Sequence, residues 1–155
     1  MRTGAEVLVS ALVSMTGAHV APATLAKGDR VSIVSRGTAD AGRRAFMLRF
    51  ARAVHSPDAG ESLRVVETRR VDALAGSAVR RRLSGTDVLH GARGSLTLRW
   101  SAEQVRENGR WDSIAGRWSV VAASDAYSGC VGSGELTADP RFQVTVYRGR
   151  LITTV

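Results

Sequence analysis

The segment from Gly116 to Gly134, GRWSVVAASDAYSGCVGSG, constrains the fold of this chain more than any other. A tryptophan opens a run of small and β-branched residues, a turn with one tyrosine follows, and three glycines occur in the last six residues. These glycines, Gly129, Gly132 and Gly134, are separated by larger residues. The spacing is typical of a strand that lies close against another backbone, so the segment predicts tightly packed β-structure.

Length and composition predict one globular domain over residues 1–155. The chain is 44% hydrophobic and 23% charged, which is ordinary for a globular protein and unlike a disordered tail. A chain of 155 residues is long enough to bury one hydrophobic core, and it is most simply read as a single domain.

The chain is strongly basic, with a formal net charge of +8 and a sequence pI near 11.2. Such a balance by itself favours a nucleic-acid or anionic-membrane partner. However, Lys27 is the one lysine, so 21 of the 22 basic residues are arginine, a skew that a GC-rich genome produces. The arginines are spread along the chain, with one tight cluster at Arg80–Arg82. We therefore expect a solvated outer face and no nucleic-acid partner, and keep a basic nucleic-acid-binding module as a third hypothesis.

Cysteine and histidine usage predicts neither a metal site nor a cofactor. Cys130 is the one cysteine, which excludes an internal disulfide and a cysteine-based zinc site. His19, His55 and His90 lie far apart, and none stands in a metal-ligand spacing. We also find no nucleotide-binding or phosphate-loop motif, and no run of 18 apolar residues that would predict a membrane span.

The first residues have two interpretations. Arg2, followed by VLVSALVSM and then HVAPA, is loosely similar to a secretion signal. Glu6 stands at the edge of the apolar run, and the alternation from Val7 to Met15 predicts a first β-strand instead. The preferred prediction is a cytoplasmic protein, and the alternative is a secreted one in which residues 1–23 act as the signal.

Alternating apolar and polar residues predict about eight strands, most with one apolar face. The segment GSLTLRW, Gly94 to Trp100, is the clearest example, with leucines and a tryptophan on one face. Residues 40–55 fit either a strand or a helix, and the strand is preferred because the surrounding pattern is β. Several short strands at regular spacing are typical of an antiparallel sandwich or barrel. The other predicted strands are Arg30–Arg36, Leu63–Val71, Trp111–Ala122, Val131–Thr137 and Phe142–Thr153.

The segment from Ala92 to Gly134 resembles the last third of the allene oxide cyclase-like barrel proteins, which are relatives of the dirigent proteins. The family pattern is a Gly-x-Trp, a hydrophobic strand, a Gly-Thr-Gly-x-Tyr turn and closing glycines. Trp118 matches the tryptophan, Tyr127 the tyrosine, and Gly132 and Gly134 the closing glycines. The family's Gly-Thr-Gly is here Ala123-Ser124-Asp125. Of these, Asp125 tolerates a positive φ better than Ala123 does.

The resemblance implies an all-β protein, an eight-stranded antiparallel β-barrel with an apolar lumen and room for one short helix. It also implies a function, because family members bind a reactive small molecule in the barrel and direct its cyclisation or coupling. Bacterial relatives include polyketide cyclases, some of which catalyse [4+2] cycloadditions. Such chemistry needs orientation of the substrate more than chemical groups, so no cofactor is expected. Family members are often dimers or trimers, which predicts a homodimer or homotrimer here.

If the apolar faces point inward, a hydrophobic substrate would contact large side chains in the lumen. Trp100 and Trp118 are the bulkiest and could stack on a polyene or aromatic guest, although each could equally fill the core. The predicted substrate-binding residues are Phe46, Phe50, Leu98, Trp100, Trp118, Val120 and Val146.

Two residues are candidate catalytic groups. Glu67 shares a strand face with apolar residues, so in a lumen it would have a raised pKa and could act as an acid. The alternative is that the other face points inward and that Glu67 and Arg69 form a surface pair. Tyr127 could donate a hydrogen bond to a substrate carbonyl, or it could anchor its turn.

The sequence thus leaves two main hypotheses. The first is a cofactor-independent cyclase that folds a polyketide-like intermediate in the lumen. The second is a non-catalytic barrel that binds a hydrophobic ligand or serves as an oligomeric scaffold, and a lumen filled by the protein's own side chains would favour it.

Overall fold

The structure, a computed structural model, describes residues 28–52 and 56–153. The predicted strand Val7–Met15 and the candidate signal at residues 1–23 lie outside these described residues. The strands are β1 (Asp29–Arg36), β2 (Gly42–Phe50), β3 (Asp58–Ala73), β4 (Val79–Gly91), β5 (Ser95–Glu107), β6 (Arg110–Trp111), β7 (Ile114–Ala123), β8 (Cys130–Ala138) and β9 (Val144–Thr153), with one turn of 3₁₀ helix at Asp125–Tyr127.

Eight long strands form a closed antiparallel barrel, as predicted. The sheet runs β4-β3-β2-β1-β9-β8-β7-β5-β6, and pairing between β4 and β5 closes it. Every neighbouring pair is antiparallel, so the chain passes up and down around the barrel. The short β6 extends the β5 end as a hairpin. Closure leaves the eight long strands without unpaired edges.

The structure settles the local ambiguities of the sequence. Residues 42–50 form a strand, so the preferred interpretation of the 40–55 segment is confirmed. The predicted long strand Trp111–Ala122 is interrupted at Asp112–Ser113, between β6 and β7. Asp125 has a φ of 57°, in the left-handed region that a short polar side chain tolerates.

The glycines of the Gly116–Gly134 segment permit close backbone contact, as predicted. Gly134 on β8 is directly paired with Gly149 on β9, and a Cβ on Gly134 would collide with the carbonyl oxygen of Arg148. Trp118 on β7 is paired with Gly134, so its indole lies beside this glycine pair. Its Nε1 donates hydrogen bonds to the carbonyl oxygens of Glu135 at 3.1 Å and Arg148 at 3.3 Å. The two glycines therefore let β8 and β9 approach closely at a position where the tryptophan bonds both strands.

The core fills the inside of the barrel. Alternate residues of each long strand point inward, and every one of these strands contributes at least one buried side chain. Before the bulge between Val66 and Thr68, where the register of β3 changes, the even-numbered residues of β3 point inward. The largest fully buried side chains are Trp100, Arg64, Tyr147, Phe142, Ile33, Leu48, Leu89, Leu98, Ile114, Leu136 and Leu151.

Candidate functional site

A buried ion pair lies inside the barrel between β3 and β4. Arg64 is 1% exposed and Asp87 is 0% exposed, and the two residues stand opposite each other in the strand register. The guanidinium donates two parallel hydrogen bonds to the carboxylate, Nε to Oδ1 at 2.8 Å and Nη2 to Oδ2 at 2.7 Å. This bidentate geometry is the strongest form of a charge-assisted hydrogen bond.

Two aromatic residues complete the hydrogen bonding of this pair. Trp100 Nε1 donates to Asp87 Oδ1 at 3.2 Å. The Tyr147 hydroxyl donates to Asp87 Oδ2 and accepts a hydrogen bond from Arg64 Nη2 at 3.0 Å. The carboxylate therefore accepts four hydrogen bonds, which compensate for its removal from water. We call Arg64, Asp87, Trp100 and Tyr147 the bore cluster.

The arginine of the bore cluster is also held between two rings. Its guanidinium carbon lies 5.3 Å from the ring centroid of Trp100 and 5.2 Å from that of Phe142, which is cation–π distance. Burial is the largest single effect and disfavours the charge of Arg64, but the hydrogen bonds and charge interactions with Asp87 and Tyr147 together outweigh it and raise the pKa of the guanidinium above its usual value. Its Nη1 has no hydrogen-bond partner among the described residues.

A second buried arginine lies near the cluster and holds two loops. Arg44 Nε donates to Ser35 Oγ at 2.8 Å, Nη1 donates to the carbonyl of Ala39 at 2.8 Å, and Nη2 donates to that of Gln143 at 3.0 Å. Burial lowers the pKa of Arg44, and the positive charge of Arg64 lowers it further. Arg44 thus connects the β1–β2 loop with the β8–β9 loop.

The chemistry available to the bore cluster is that of a structural ion pair. Asp87 has four donors directed at its oxygens, so both oxygens are already engaged by the protein's own side chains. Burial, followed by the negative charge of Asp87, raises the pKa of Tyr147 well above its ordinary value. A tyrosine in this state is a hydrogen-bond donor and a poor general acid or base near neutral pH.

Tyr127 anchors a turn. Its hydroxyl donates to Asp58 Oδ2 at 2.7 Å, with both groups buried. Asp58 also accepts hydrogen bonds from the backbone N–H groups of Ala92 at 2.9 Å and Arg93 at 3.4 Å. Burial and the hydrogen bond to Asp58 raise the pKa of Tyr127 far above its usual value. The tyrosine thereby connects the turn before β8 with the start of β3 and the β4–β5 turn.

Glu67, the other predicted catalytic residue, lies at the β3 bulge and is exposed. It borders an outer groove of about 370 Å³ together with Arg99 and Arg117. Arg69, its expected partner in a surface pair, forms an ion pair with Asp40 instead. The structure therefore places the Glu67 carboxylate on the outer side of the wall, away from the bore cluster.

The predicted substrate-binding residues divide between the core, the barrel end and the outer face. Phe46, Leu98, Trp100 and Trp118 are buried in the core, and Val120 is half-buried against it. Phe50 is half-buried near the guanidinium of Arg93, at 5.8 Å. Val146 belongs to the outward-facing set of β9, because its neighbours Thr145 and Tyr147 are the buried ones.

Sequence reasoning missed Arg64, Asp87 and Tyr147. Leu63 and Val65 indicated that the odd-numbered residues of β3 face inward, but these leucine and valine side chains are 45% and 47% exposed. The inward set is Ser62, Arg64 and Val66. An arginine in the middle of an otherwise β-like strand was the available signal, but its partner Asp87 is 23 residues away and becomes its neighbour only by strand pairing.

The remaining chemical groups do not form another buried site. Burial raises the pKa of the Cys130 thiol to about 11, so it is a poor nucleophile near neutral pH. No group of residues capable of holding a metal ion occurs in residues 28–52 or 56–153. None of the described segments forms a helix with the length and apolar character needed to cross a bilayer.

We expect Asp87→Asn to destabilise the fold by about 3–5 kcal/mol, because it leaves the Arg64 charge buried without a counter-charge. Urea unfolding measures the change. The matched control is Glu103→Gln, which neutralises an exposed carboxylate 3.2 Å from Arg82 and should change stability by less than about 0.5 kcal/mol. Equal effects of the two variants would contradict the assigned role of the bore cluster.

Both tyrosines of the chain, Tyr127 and Tyr147, should resist ionisation in the folded protein. Because the folded state keeps protons that the unfolded chain releases above about pH 10, stability should fall as the pH rises beyond that value. An absorbance titration of tyrosinate should show ionisation only together with loss of near-ultraviolet circular dichroism. A tyrosine that titrates near pH 10 in the still-folded protein would show that its burial is wrong, and Tyr127→Phe identifies which one.

In comparisons with known proteins, no family model matches the chain, and no curated protein or solved structure shows significant similarity to it. The resemblance to allene oxide cyclase-like barrels therefore depends on the residues of Ala92–Gly134 and on the barrel architecture, and membership of that family stays a prediction.

Proposed function

We propose that this barrel is a non-catalytic, self-associating scaffold that acts through its outer wall. The observation that carries the proposal is a bore filled by the protein's own side chains. An eight-stranded barrel has space either for its side chains or for one small ligand, so a filled bore favours binding on the outside.

Side chains of the protein occupy the bore in both halves of its length. On one side, the bore cluster and Phe142 occupy the interior. On the other side, an interior crevice lined by Phe46, Leu48, Leu89, Leu96 and Tyr127 has no room for a water molecule. A guest of polyketide size needs several hundred Å³. The described side chains would have to move apart to accept one.

An apolar patch on the outer wall supports self-association. Met47 on β2 is 36% exposed, and Leu63 and Val65 on β3 are 45% and 47% exposed. In the register, Leu63 stands beside Val88, whereas Met47 stands beside Ala59 and is separated from Leu63 by the exposed Glu61. Leu63, Val65 and Val88 therefore form the contiguous part of the patch, and exposed apolar side chains of this kind are typical of protein interfaces. We therefore propose that two or three copies of the barrel associate through β2 and β3.

The filled bore is tested with neutral apolar probes. Wild-type protein should give no saturable fluorescence with N-phenyl-1-naphthylamine, because no enclosed space receives it. Leu98→Ala, which truncates a fully buried side chain, should cost about 2–5 kcal/mol and leave an apolar cavity. Benzene should then raise the melting temperature of the variant and leave that of wild type unchanged. Stoichiometric uptake of the naphthylamine by wild type would overturn the scaffold proposal.

Self-association is tested with Val65→Lys, which places a charge in the apolar patch. Sedimentation equilibrium should show an oligomer for wild type and a shift to monomer, with at least about a tenfold weaker association, for this variant. Val131→Lys is the control, since Val131 is 45% exposed on β8, outside the patch. A wild-type monomer, or equal loss of association in both variants, would exclude the proposed interface.

A second function, cofactor-independent cyclisation of a small molecule in the bore, is favoured by one observation. Among the buried polar atoms without a hydrogen-bond partner in the described residues, three belong to side chains that point into the barrel, namely Arg64 Nη1, Ser62 Oγ and Thr145 Oγ1. Groups of this kind could hold a substrate oxygen and orient a reactive chain. Stoichiometric uptake of the naphthylamine by wild type would favour this function, and turnover of linear polyketides that Trp118→Ala abolishes would establish it.

A further inference from the structure

Six arginines that are scattered in sequence meet on the outer wall of the barrel. Strand pairing forms two adjacent rows, the first across β2, β1, β9, β8, β7 and β5 and the second from β1 to β5, in which arginines are interspersed with serines and one glutamate. We call these rows the arginine belt. The first row is Arg49, Ser32, Arg148, Glu135, Arg117 and Ser101, and the second is Arg30, Arg150, Ser133, Ser119 and Arg99.

The charge of the arginine belt is not neutralised by the protein. All six arginines are exposed, and none of them forms an ion pair with a described residue, whereas other arginines pair with Asp29, Asp40, Asp72, Asp87 and Glu103. Six arginines against Glu135 give the belt a net charge of +5. A one-signed surface without internal partners is suited to an anionic ligand.

The arginine belt also has the shape of a groove. A depression of about 640 Å³ is lined by Arg30, Arg49, Arg148 and Arg150, and Gly134 and Gly149 lie in it. These two glycines pair with each other across β8 and β9, between the exposed Glu135, Arg148 and Arg150. The smaller depression beside Glu67, about 370 Å³, continues it past Arg99 and Arg117.

The dimensions of the belt fit a flexible chain with regularly spaced negative charges. Six neighbouring strands span about 24 Å at about 4.8 Å per strand, and the two rows are about 6.7 Å apart. Serine hydroxyls stand beside the arginines, and both groups donate hydrogen bonds to phosphate oxygens. The belt rows themselves contain no aromatic or large aliphatic side chain. Phe50 lines the larger depression beside them, and the exposed Val131 and Ile152 flank the second row.

We propose that the arginine belt binds the phosphodiester backbone of single-stranded nucleic acid without sequence preference. Single-stranded nucleic acid would be the partner of the outer-wall scaffold proposed above, so this proposal rests on the scaffold function. A single strand can follow the curved wall of a small barrel, whereas duplex DNA is stiff over about 150 base pairs and a flat membrane would touch the curved wall only along a narrow strip. The sequence had predicted no nucleic-acid partner because it showed the arginines dispersed.

The test is fluorescence anisotropy with labelled dT12 at 50 and 200 mM NaCl. Wild type should bind more weakly at the higher salt, with a slope of log K against log salt that reflects about 0.7 per phosphate contacted. The double variant Arg148→Thr/Arg150→Thr should weaken binding about tenfold at low salt and reduce the slope by about 1.4. Arg110→Thr/Arg141→Thr, which removes the same charge from exposed positions outside the belt, should weaken binding less than about twofold.

If circular dichroism shows that the first variant does not fold, a second belt variant, Arg99→Thr/Arg117→Thr, should show the same loss of dT12 binding. Salt-independent or absent binding, or an equal loss in the Arg110/Arg141 control, would overturn the proposal. Tighter, belt-dependent binding of a 12-base-pair duplex, of phosphatidylserine vesicles or of polyglutamate would also overturn it in favour of that anion. The probe-uptake and sedimentation tests do not involve the belt, so failure of the scaffold is measured separately.

Discussion

The bidentate pair of Arg64 and Asp87 is the interaction on which the interior of this barrel depends. Burying two charges inside a small barrel costs free energy unless hydrogen bonds satisfy the lone pairs of the carboxylate and the N–H groups of the guanidinium. Trp100 and Tyr147 supply the remaining hydrogen bonds of the carboxylate, and Phe142 covers the guanidinium. One charged pair thereby fixes the positions of three aromatic side chains that come from distant parts of the chain.

Because the described side chains occupy the bore, we propose that a partner binds on the outer wall. The wall has two different sides. Strand β3, with its exposed Leu63 and Val65, lies on the opposite side of the barrel from β8. The arginine belt is centred near β8 and extends over the strands on both sides of it. Self-association through Leu63 and Val65 on β3 would leave the belt arginines of β1, β9, β7 and β5 accessible on each copy, whereas Arg49 lies on β2 beside the patch. The two proposals are therefore compatible, although each depends on different residues and is tested separately.

The sequence predicted the architecture well and the site poorly. Alternation in segments such as Gly94–Trp100, together with the close-packed glycines at Gly132 and Gly134, was sufficient for an antiparallel barrel. The direction in which each strand faces was harder to predict. On β3, both faces stayed candidates for the lumen, because Leu63 and Val65 make the outer face apolar and an apolar outer patch gives the same alternation as an apolar core. The structure places the face opposite to Glu67 inward.

What the sequence determined by itself is local: strand periodicity, the close approach permitted by glycine, the left-handed turn tolerated by Asp125 and the excess of arginine. What the tertiary structure decided is which distant residues become neighbours. Closure of the sheet joined Arg64 to Asp87 in the bore and aligned Arg30, Arg150 and Arg148 on the wall. The physical reason is that strand register acts between segments far apart in the chain, where one residue of shift exchanges the inner and outer faces.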